Sequence, residues 1–414
     1  MSKFSKVPLG KAALSIIDGD RGANYPKKTE FFSKGDCWFL NTSNVKSAGF
    51  DFGEMDFITA EKDAALSKGK LRRHDIVLTT RGTIGNCAYF GESIPFENIR
   101  INSGMVVLRA DSTQLDPYFL YAFLRSEIFK IQTGTHSSGS AQPQLPIGTL
   151  RNIVIPLFEL PHQRKIAAVL SALDTKIALN HRLNVELEGM AKLLYDYWFV
   201  QYDFPLSAAQ AAALGQPHLT GQPYRSSGGP MVFAPQLKRE IPKGWLVNEL
   251  ESFLTLAYGK ALKKTDHQAG PYPVYGSGGI YGSHFEPLVK GPGIIVGRKG
   301  TVGSIHWEDD DFYPTDTTYY VIPSQGYSLV YLSHLLKSLD LPAMNTDSAV
   351  PGLNRNNAYS RTVANPPTKL IEEFTKIVSP LRSMTSANHQ QNQELTTLRD
   401  WLLPMLMNGQ VRVG

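Results

Sequence analysis

The sequence predicts an α+β protein. Two similar mixed α/β globular units are separated by two long antiparallel helices, a coiled coil with pseudo-twofold internal duplication. Three observations lead there. Phrases recur in the same order in the two halves of the 414 residues. Each set of phrases begins in a strand-like region punctuated by glycine and proline. Each set ends in a long stretch with one apolar stripe at helical spacing.

The duplication is read from three pairs of phrases. NHRLNVEL at 180–187 faces NHQQNQEL at 388–395, identical at five of eight positions and 208 residues apart (388 − 180). SAQPQL at 140–145 faces SAVPGL at 348–353 at the same offset. IVLTTRGTIGNCAY at 76–89 faces IIVGRKGTVGSIHW at 294–307 at offset 218 (294 − 76), a drift that loops of unequal length would produce. The order is therefore a first unit at 1–158, a first helix at 159–205, a linker at 206–239, a second unit at 240–367 and a second helix at 368–414. The linker opens LSAAQAAALGQPHLTGQPYRSSGGP, rich in small residues, glycine and proline, with room for one short helix near 207–214.

The first helical pattern runs from about His162 to Val200, with Ile166, Val169, Leu173, Ile177, Leu187, Met190, Leu194 and Trp198 on its stripe. The second runs from about Lys369 to Met407, with Phe374, Ile377, Leu381, Met384, Leu395, Leu398, Leu402 and Met405. Pro380 and Pro404 predict a kink near 380 and a weak or broken end near 404. Each helix would span roughly 58 Å at 1.5 Å per residue, too long for one face of a compact domain, so a near-heptad stripe calls for a partner stripe. The seam, continued through the middle, lands on Asn180, Asn184, Asn388 and Asn392, with Leu187 and Leu395 beside them. Buried amides weaken a helix pair but specify its register, because mispaired amides stay unsatisfied.

Composition narrows the function. Apolar residues make up 42% and charged residues 19%, which suits ordinary globular cores. A net charge of +5 and a pI near 8.9 accommodate an anionic partner. Cys37 and Cys87, alone and far apart, build neither a disulfide scaffold nor a metal cage. The first ten residues lack an apolar signal core and no apolar run reaches membrane length, so the expectation is a cytoplasmic protein with no membrane partner.

Catalytic motifs fail one by one. NPPT at 365–368 has Thr368 where a base-stacking aromatic would stand in an adenine methyltransferase loop, and reads as a turn into the second helix. GRKGT at 297–301 misses the spacing of a phosphate-binding loop. His181 and His389 have no acid or cysteine at ligand spacing, so no metal site is expected. No catalytic residues are assigned.

What remains is a binding surface. TTRGTIG at 79–85 and GRKGTVG at 297–303 are tight basic loops after strands. Arg81, Arg298 and Lys299 supply charge for phosphates or guanine edges, and Thr83 and Thr301 supply hydroxyl donors. Amide and hydroxyl clusters lie around them: Asn41, Ser43, Asn44 and Lys46 in LNTSNVK, Arg100 and Asn102 in RINSG, Tyr275 and Ser277 in VYGSGG, Thr315 and Thr317 in YPTDTTYY. THSSGSAQ at 135–142 and MNTDSA at 344–349 are similar. Such groups can read base edges, and they also populate ordinary loops. A competing reading is a helical adaptor that assembles other subunits without touching DNA.

Four segments together resemble the specificity (S) subunit of type I restriction–modification systems. They are HDIVLTTRGTIGNCAYF with RINSGMVVLR; PLFELPHQRKIAAVLSALDTKIALNHRLNVELEGMAKLLYDYWFVQYDFP; GQPYRSSGGPMV leading to REIPKGW; and PYPVYGSGGIYGSH with GRKGTVGSIHW and YPTDTTYYVI. They span nearly the whole chain. The departure is at the second helix start, where TKLIEEFTKI at 368–377 replaces LPHQRKIAAV and its glutamine. The resemblance implies two target recognition domains, each reading one half of a bipartite, asymmetric site in double-stranded DNA. It implies helices that set the spacing and dock two modification subunits. It also implies that the chain is non-catalytic and binds no cofactor. S-adenosylmethionine belongs to the partner modification subunit, and ATP with Mg to the partner restriction subunit of the full nuclease.

Overall fold

The computed structural model describes residues 4–134, 144–262, 270–344 and 352–413. Two compact units emerge: Met1–Leu179 with Gln391–Gly414, and Asn180–Gln390. Each takes part of both long helices, so the helices are not layers of their own. Among the described residues, no helix is long and apolar enough to cross a membrane.

In the first unit the strands are β1 Ser5–Pro8, β2 Leu14–Asp18, β3 Cys37–Leu40, β4 Phe57–Ile58, β5 Ile76–Thr79, β6 Cys87–Tyr89, β7 Ile99–Ile101, β8 Met105–Ala110 and β9 Val154–Leu157. Sheet orders are β2-β8-β5-β6, β4-β3-β7 and β1-β9. The β3–β7 pair is parallel and the others antiparallel. The second unit has β10 Leu246–Glu249, β11 Leu254–Tyr258, β12 Tyr272–Gly276, β13 Gly279–His284, β14 Gly293–Gly297, β15 Ile305–Glu308, β16 Tyr313–Pro314, β17 Thr318–Pro323 and β18 Thr362–Asn365. Its orders are β11-β17-β14-β15, β13-β12-β16 and β10-β18, with β12–β16 parallel. Strand for strand, the second list repeats the first; outside the repeat lie the pair Val45–Lys46 with Gly49–Phe50 in the first unit and the pair Met231–Ala234 with Arg239–Pro242 in the second. The duplication is therefore one of topology as well as of phrases.

The central strands read as continuous apolar runs because both faces are covered. Ile76, Leu78, Val106 and Leu108 enter one core, and Val77, Met105 and Val107 enter another on the opposite face. In the second unit Ile294 and Val296 join the large core, while Ile295 packs with Tyr275 and Phe312. A helix closes each large core: α1 Pro117–Arg125, with Asp116 accepting from the Phe119 amide (2.9 Å), and α3 Leu329–Ser338, with Ser328 accepting from the Tyr331 amide (3.2 Å).

The long helices are α2 Leu160–Tyr195, extended by a wider turn through Val200, and α4 Thr368–Met407. The expected break near Pro404 does not occur: α4 passes both Pro380 and Pro404. The carbonyls that each proline strips of a partner belong to Lys376 and Asp400, both exposed residues, so these positions tolerate the lost bond better than a buried turn would. The apolar stripe is also corrected by one residue at several places. Met190, Ile377, Met384 and Leu398 are exposed, and Ala191, Val378, Thr385 and half-buried Arg399 hold the seam instead. The departure at the second helix start is explained too. Gln163 is buried, accepting from the Asp116 amide (2.9 Å) and donating to the Phe158 carbonyl (2.7 Å), whereas Ile371 at the matching position fills an apolar core.

A half-buried histidine packs against the second unit's core. His334 stacks on Tyr195 (5.6 Å between ring centroids) and meets the edge of Phe374. Burial, aided by Lys337 and Arg382, pushes its pKa down to about 4. A histidine near 6.5 when unfolded then binds its proton first in the unfolded chain. Stability of this unit is fully present above pH 6.5 and is lost as pH falls toward 4, by up to about 3 kcal/mol. Urea unfolding across that window should show the slope in the wild type and lose it in His334→Gln.

Candidate nucleic-acid interface

The two basic loops have one backbone. Thr79 donates from both N (2.9 Å) and Oγ1 (3.2 Å) to Asn86 O across the first loop, Gly85 N donates to Thr79 O (3.1 Å), and Gly104 O accepts from Thr80 N (2.9 Å) and Arg81 N (3.2 Å). In the second, Gly303 N donates to Gly297 O (2.8 Å), and Thr317 O accepts from Arg298 N (2.9 Å) and Lys299 N (3.1 Å). Leu145 N bonds Thr80 O, as Leu353 N bonds Arg298 O. Gly82 and Gly300 at the tips have φ of +71° and +84°, a region other residues enter only with strain, which accounts for glycine in both copies. Arg81, Thr83, Lys299 and Thr301 project from these braced turns and are exposed. Among the described residues, neither Arg81 nor Lys299 has an ion-pair partner.

Neighbouring segments gather around each loop. In the first unit, Asn86 Nδ2 donates to Val45 O (3.1 Å), so the LNTSN turn lies beside the loop, with exposed Ser43 bonded to Asn41. Asn102 accepts from the Gly104 amide (2.8 Å), and exposed Lys46 faces Asp51 at 3.8 Å. In the second, Ser277 Oγ accepts from Thr301 N (3.3 Å), and Thr317 bonds Thr315 (3.0 Å). The segments THSSGSAQ and, apart from Met344, MNTDSA lie outside the described residues.

Several candidates are held inside their units, which corrects the expectation that they face DNA. Arg100 is 5% exposed and is enclosed by the Asp63 carboxylate and the carbonyls of Lys68, Asp63 and Leu66. Burial raises the Asp63 pKa, but hydrogen bonds from Lys70 and Arg100 outweigh it and hold the carboxyl below its usual range. Asn44 is buried and donates to Glu54 O (2.6 Å). The Tyr275 hydroxyl donates to Glu308 (2.8 Å), and Thr315 Oγ1 to Tyr275 O (2.9 Å). Ser277 is also buried. These side chains close turns and satisfy backbone, the usual employment of short polar groups in loops.

Sequence reading missed two residues of the second unit. Tyr258, at the end of β11, is 47% exposed and carries two guanidinium groups over its ring, Arg298 and Arg355, each with its central carbon 5.0 Å from the centroid. No local signal marks Arg355: it stands in GLNRNNAY, which reads as an ordinary loop.

The helices meet within each unit. In the first, Ile166 and Leu170 of α2 share a core with Leu403, Leu406 and Met407 of α4. Asp174 accepts from Arg125 (2.6 Å) and Arg399 (2.9 Å), and Asn392 Nδ2 donates to Ile177 O (3.3 Å). Burial raises the Asp174 pKa, but Arg125, Tyr118 and Arg399 hold it below the usual range. In the second unit, Asn388 Nδ2 donates to Asn184 Oδ1 (2.8 Å), Asn184 Nδ2 reaches Thr385 O (3.4 Å), and Tyr195 meets Phe374. Numbers rise on one helix as they fall on the other in both units, so the pairing is antiparallel. Asn180, Asn184, Asn392 and Leu187 are buried, and Asn388 and Leu395 half-buried.

A mixed α/β fold present twice, each copy holding an unpaired cation on a braced loop and sharing in an antiparallel helix pair, defines a class: internally duplicated proteins with a basic loop in each copy, suited to an anionic partner. By sequence the chain belongs to the family described as the type I restriction modification DNA specificity domain, whose model matches residues 15–189 and 242–397. It is a specificity subunit, and DNA sequence recognition is the role of its two domains. It is similar to the type I restriction enzyme HindI specificity subunit of Haemophilus influenzae, with 22% identity over 95% of this chain and 98% of that protein. It is also similar to the MjaIX specificity subunit of Methanocaldococcus jannaschii, with 23% identity over 82% of this chain and 78% of that protein. The crystal structure of a type I restriction–modification S subunit from M. genitalium shares the fold, with a TM-score of 0.60 and 18% identity over 98% of this chain and 96% of that one.

Proposed function

We propose that each recognition domain reads one half of a bipartite, asymmetric DNA site, while the helix pair sets the gap and docks two modification subunits. The observation that carries this is the repeated loop with different cations at one position: Arg81 in the first copy stands where Lys299 stands in the second. One scaffold with two sets of side chains calls for two different half-sites. Apolar side chains exposed along the helices support docking: Leu183, Val185, Met190 and Leu193 in the second unit, Leu398 and Trp401 in the first. On this reading the chain is non-catalytic. S-adenosylmethionine and base chemistry belong to the modification subunits, and ATP and Mg to restriction subunits.

Equilibrium binding of the assembled complex to target and scrambled duplexes tests the proposal. Arg81→Ala and Lys299→Ala are each expected to weaken target binding by about 1–3 kcal/mol, each relaxing discrimination in one half-site only. Equal affinity of the wild type for all duplexes would sink the proposal. Unshifted DNA, with or without partner subunits, would favour the adaptor reading.

A further inference from the structure

The Tyr258 cluster has no equivalent in the first unit, and the strand register shows why. Tyr258 pairs with Tyr319, which pairs with Val296 on β14. In the first unit the same path runs from Asp18 to Val106 to Leu78 on β5. Tyr258 therefore corresponds to Asp18. The Leu353 and Leu145 amides, bonded to Arg298 O and Thr80 O, match Arg298 to Thr80 and Arg355 to Ile147. Where the second unit has an aromatic ring and two cations, the first has an acid, already paired with Arg21 (3.1 Å), a threonine and an isoleucine.

Two guanidinium groups over one ring repel each other. The face of the tyrosine offsets part of that, at about 0.5–1 kcal/mol per contact near a surface. Among the described residues no carboxylate pairs with either arginine. Arg298 Nη1 donates to Asp316 O (3.0 Å), and the buried Arg355 Nε has no hydrogen-bond partner. Exposed Lys299 follows Arg298 directly. Positive charge held together at a surface without an acid suits an anion.

We propose that Arg298 and Arg355, seated on Tyr258, grip a backbone phosphate of DNA, an anchor that the first recognition domain lacks at the matching positions. This rests on the DNA-reading role proposed above. A phosphate contact carries no base information, so its loss weakens all sequences alike and removes about one released counterion.

The test uses the assembled complex and duplexes bearing the target, either half-site mutated, or neither half-site, titrated over a range of salt. Arg298→Gln and Arg355→Gln are each expected to weaken binding to every duplex about tenfold at low salt. Each should also flatten log K against log salt by about one. Arg355→Lys should keep the slope, and Ile147→Gln in the first unit should change neither quantity. Circular dichroism melting checks folding, and Arg298→Gln decides the matter if Arg355→Gln does not fold. An unchanged slope in the glutamine variants, with the wild type still sequence-specific, overturns the inference alone. Loss confined to one base position overturns the phosphate assignment. A wild type without sequence preference overturns the DNA-reading role itself.

Discussion

Arg100→Ala is expected to cost the first unit about 3–5 kcal/mol, a large share of its stability. Arg100 is almost wholly buried, and its planar fork donates to the Asp63 carboxylate and to three carbonyls, Lys68 O (2.6 Å), Asp63 O (2.8 Å) and Leu66 O (2.9 Å). Removing it leaves a buried carboxylate with Lys70 as its remaining cation, strips Lys68 O and Leu66 O of their donor, and leaves Asp63 O with the Leu66 amide alone (3.3 Å). Breaking one side of a buried pair typically costs 3–5 kcal/mol, against 5–15 kcal/mol for a whole domain. Because the folded Asp63 pKa is depressed, its contribution is present above the unfolded carboxylate range near 3.9 and is lost as pH falls through the folded value. Urea unfolding at neutral pH should show the loss, with Arg100→Lys intermediate because it keeps charge but not the fork. A shift below about 1 kcal/mol would mean that Arg100 is not structural. Arg100→Lys complexes that remain folded should bind target DNA as the wild type does.

Arg100 also shows where sequence stops informing. In RINSG it looks like one more basic residue near a loop, and nothing local reveals Asp63, 37 positions away. Tyr258, Arg298 and Arg355 are brought together by strand register and by a loop closing over 57 residues (355 − 298), again beyond local pattern. The seam shows the opposite limit. Asn180, Asn184 and Asn392 could be placed in it because a repeated polar phrase broke an otherwise apolar stripe. Where two neighbours competed, however, preferring the larger apolar residue chose Met190 over Ala191 and Met384 over Thr385. Helix pairs pack small residues closely and leave large flexible ones outside when other partners cover them. Repetition was readable because duplicated phrases compare directly. The basic loops were readable because glycine at positive φ admits few substitutes.

Inserting one matched heptad into both long helices is expected to abolish binding to the native target and transfer preference to a longer gap. α2 and α4 each begin in one compact unit and end in the other. An insertion in one helix alone would slide Asn184 off Asn388 and Thr385 and bury unmatched amides, so it tests only stability. Insertions after Glu188 and after Ser383 fall between exposed neighbours and leave the amide contacts intact. Seven residues add about 10 Å of rise and turn the seam by only about 20°, so the pairing survives. At 34–36 Å per 10–10.5 base pairs, that length corresponds to about three base pairs. Three base pairs also rotate one half-site about the duplex by roughly 100°, so the longer site should bind more weakly than the native site binds the wild type. The native site should lose at least about a hundredfold, the usual worth of joining two recognitions without slack. Selection from duplexes that keep both half-sites and vary only the gap measures the shift. Unchanged preference for the native gap would show that something other than the helix pair sets the distance.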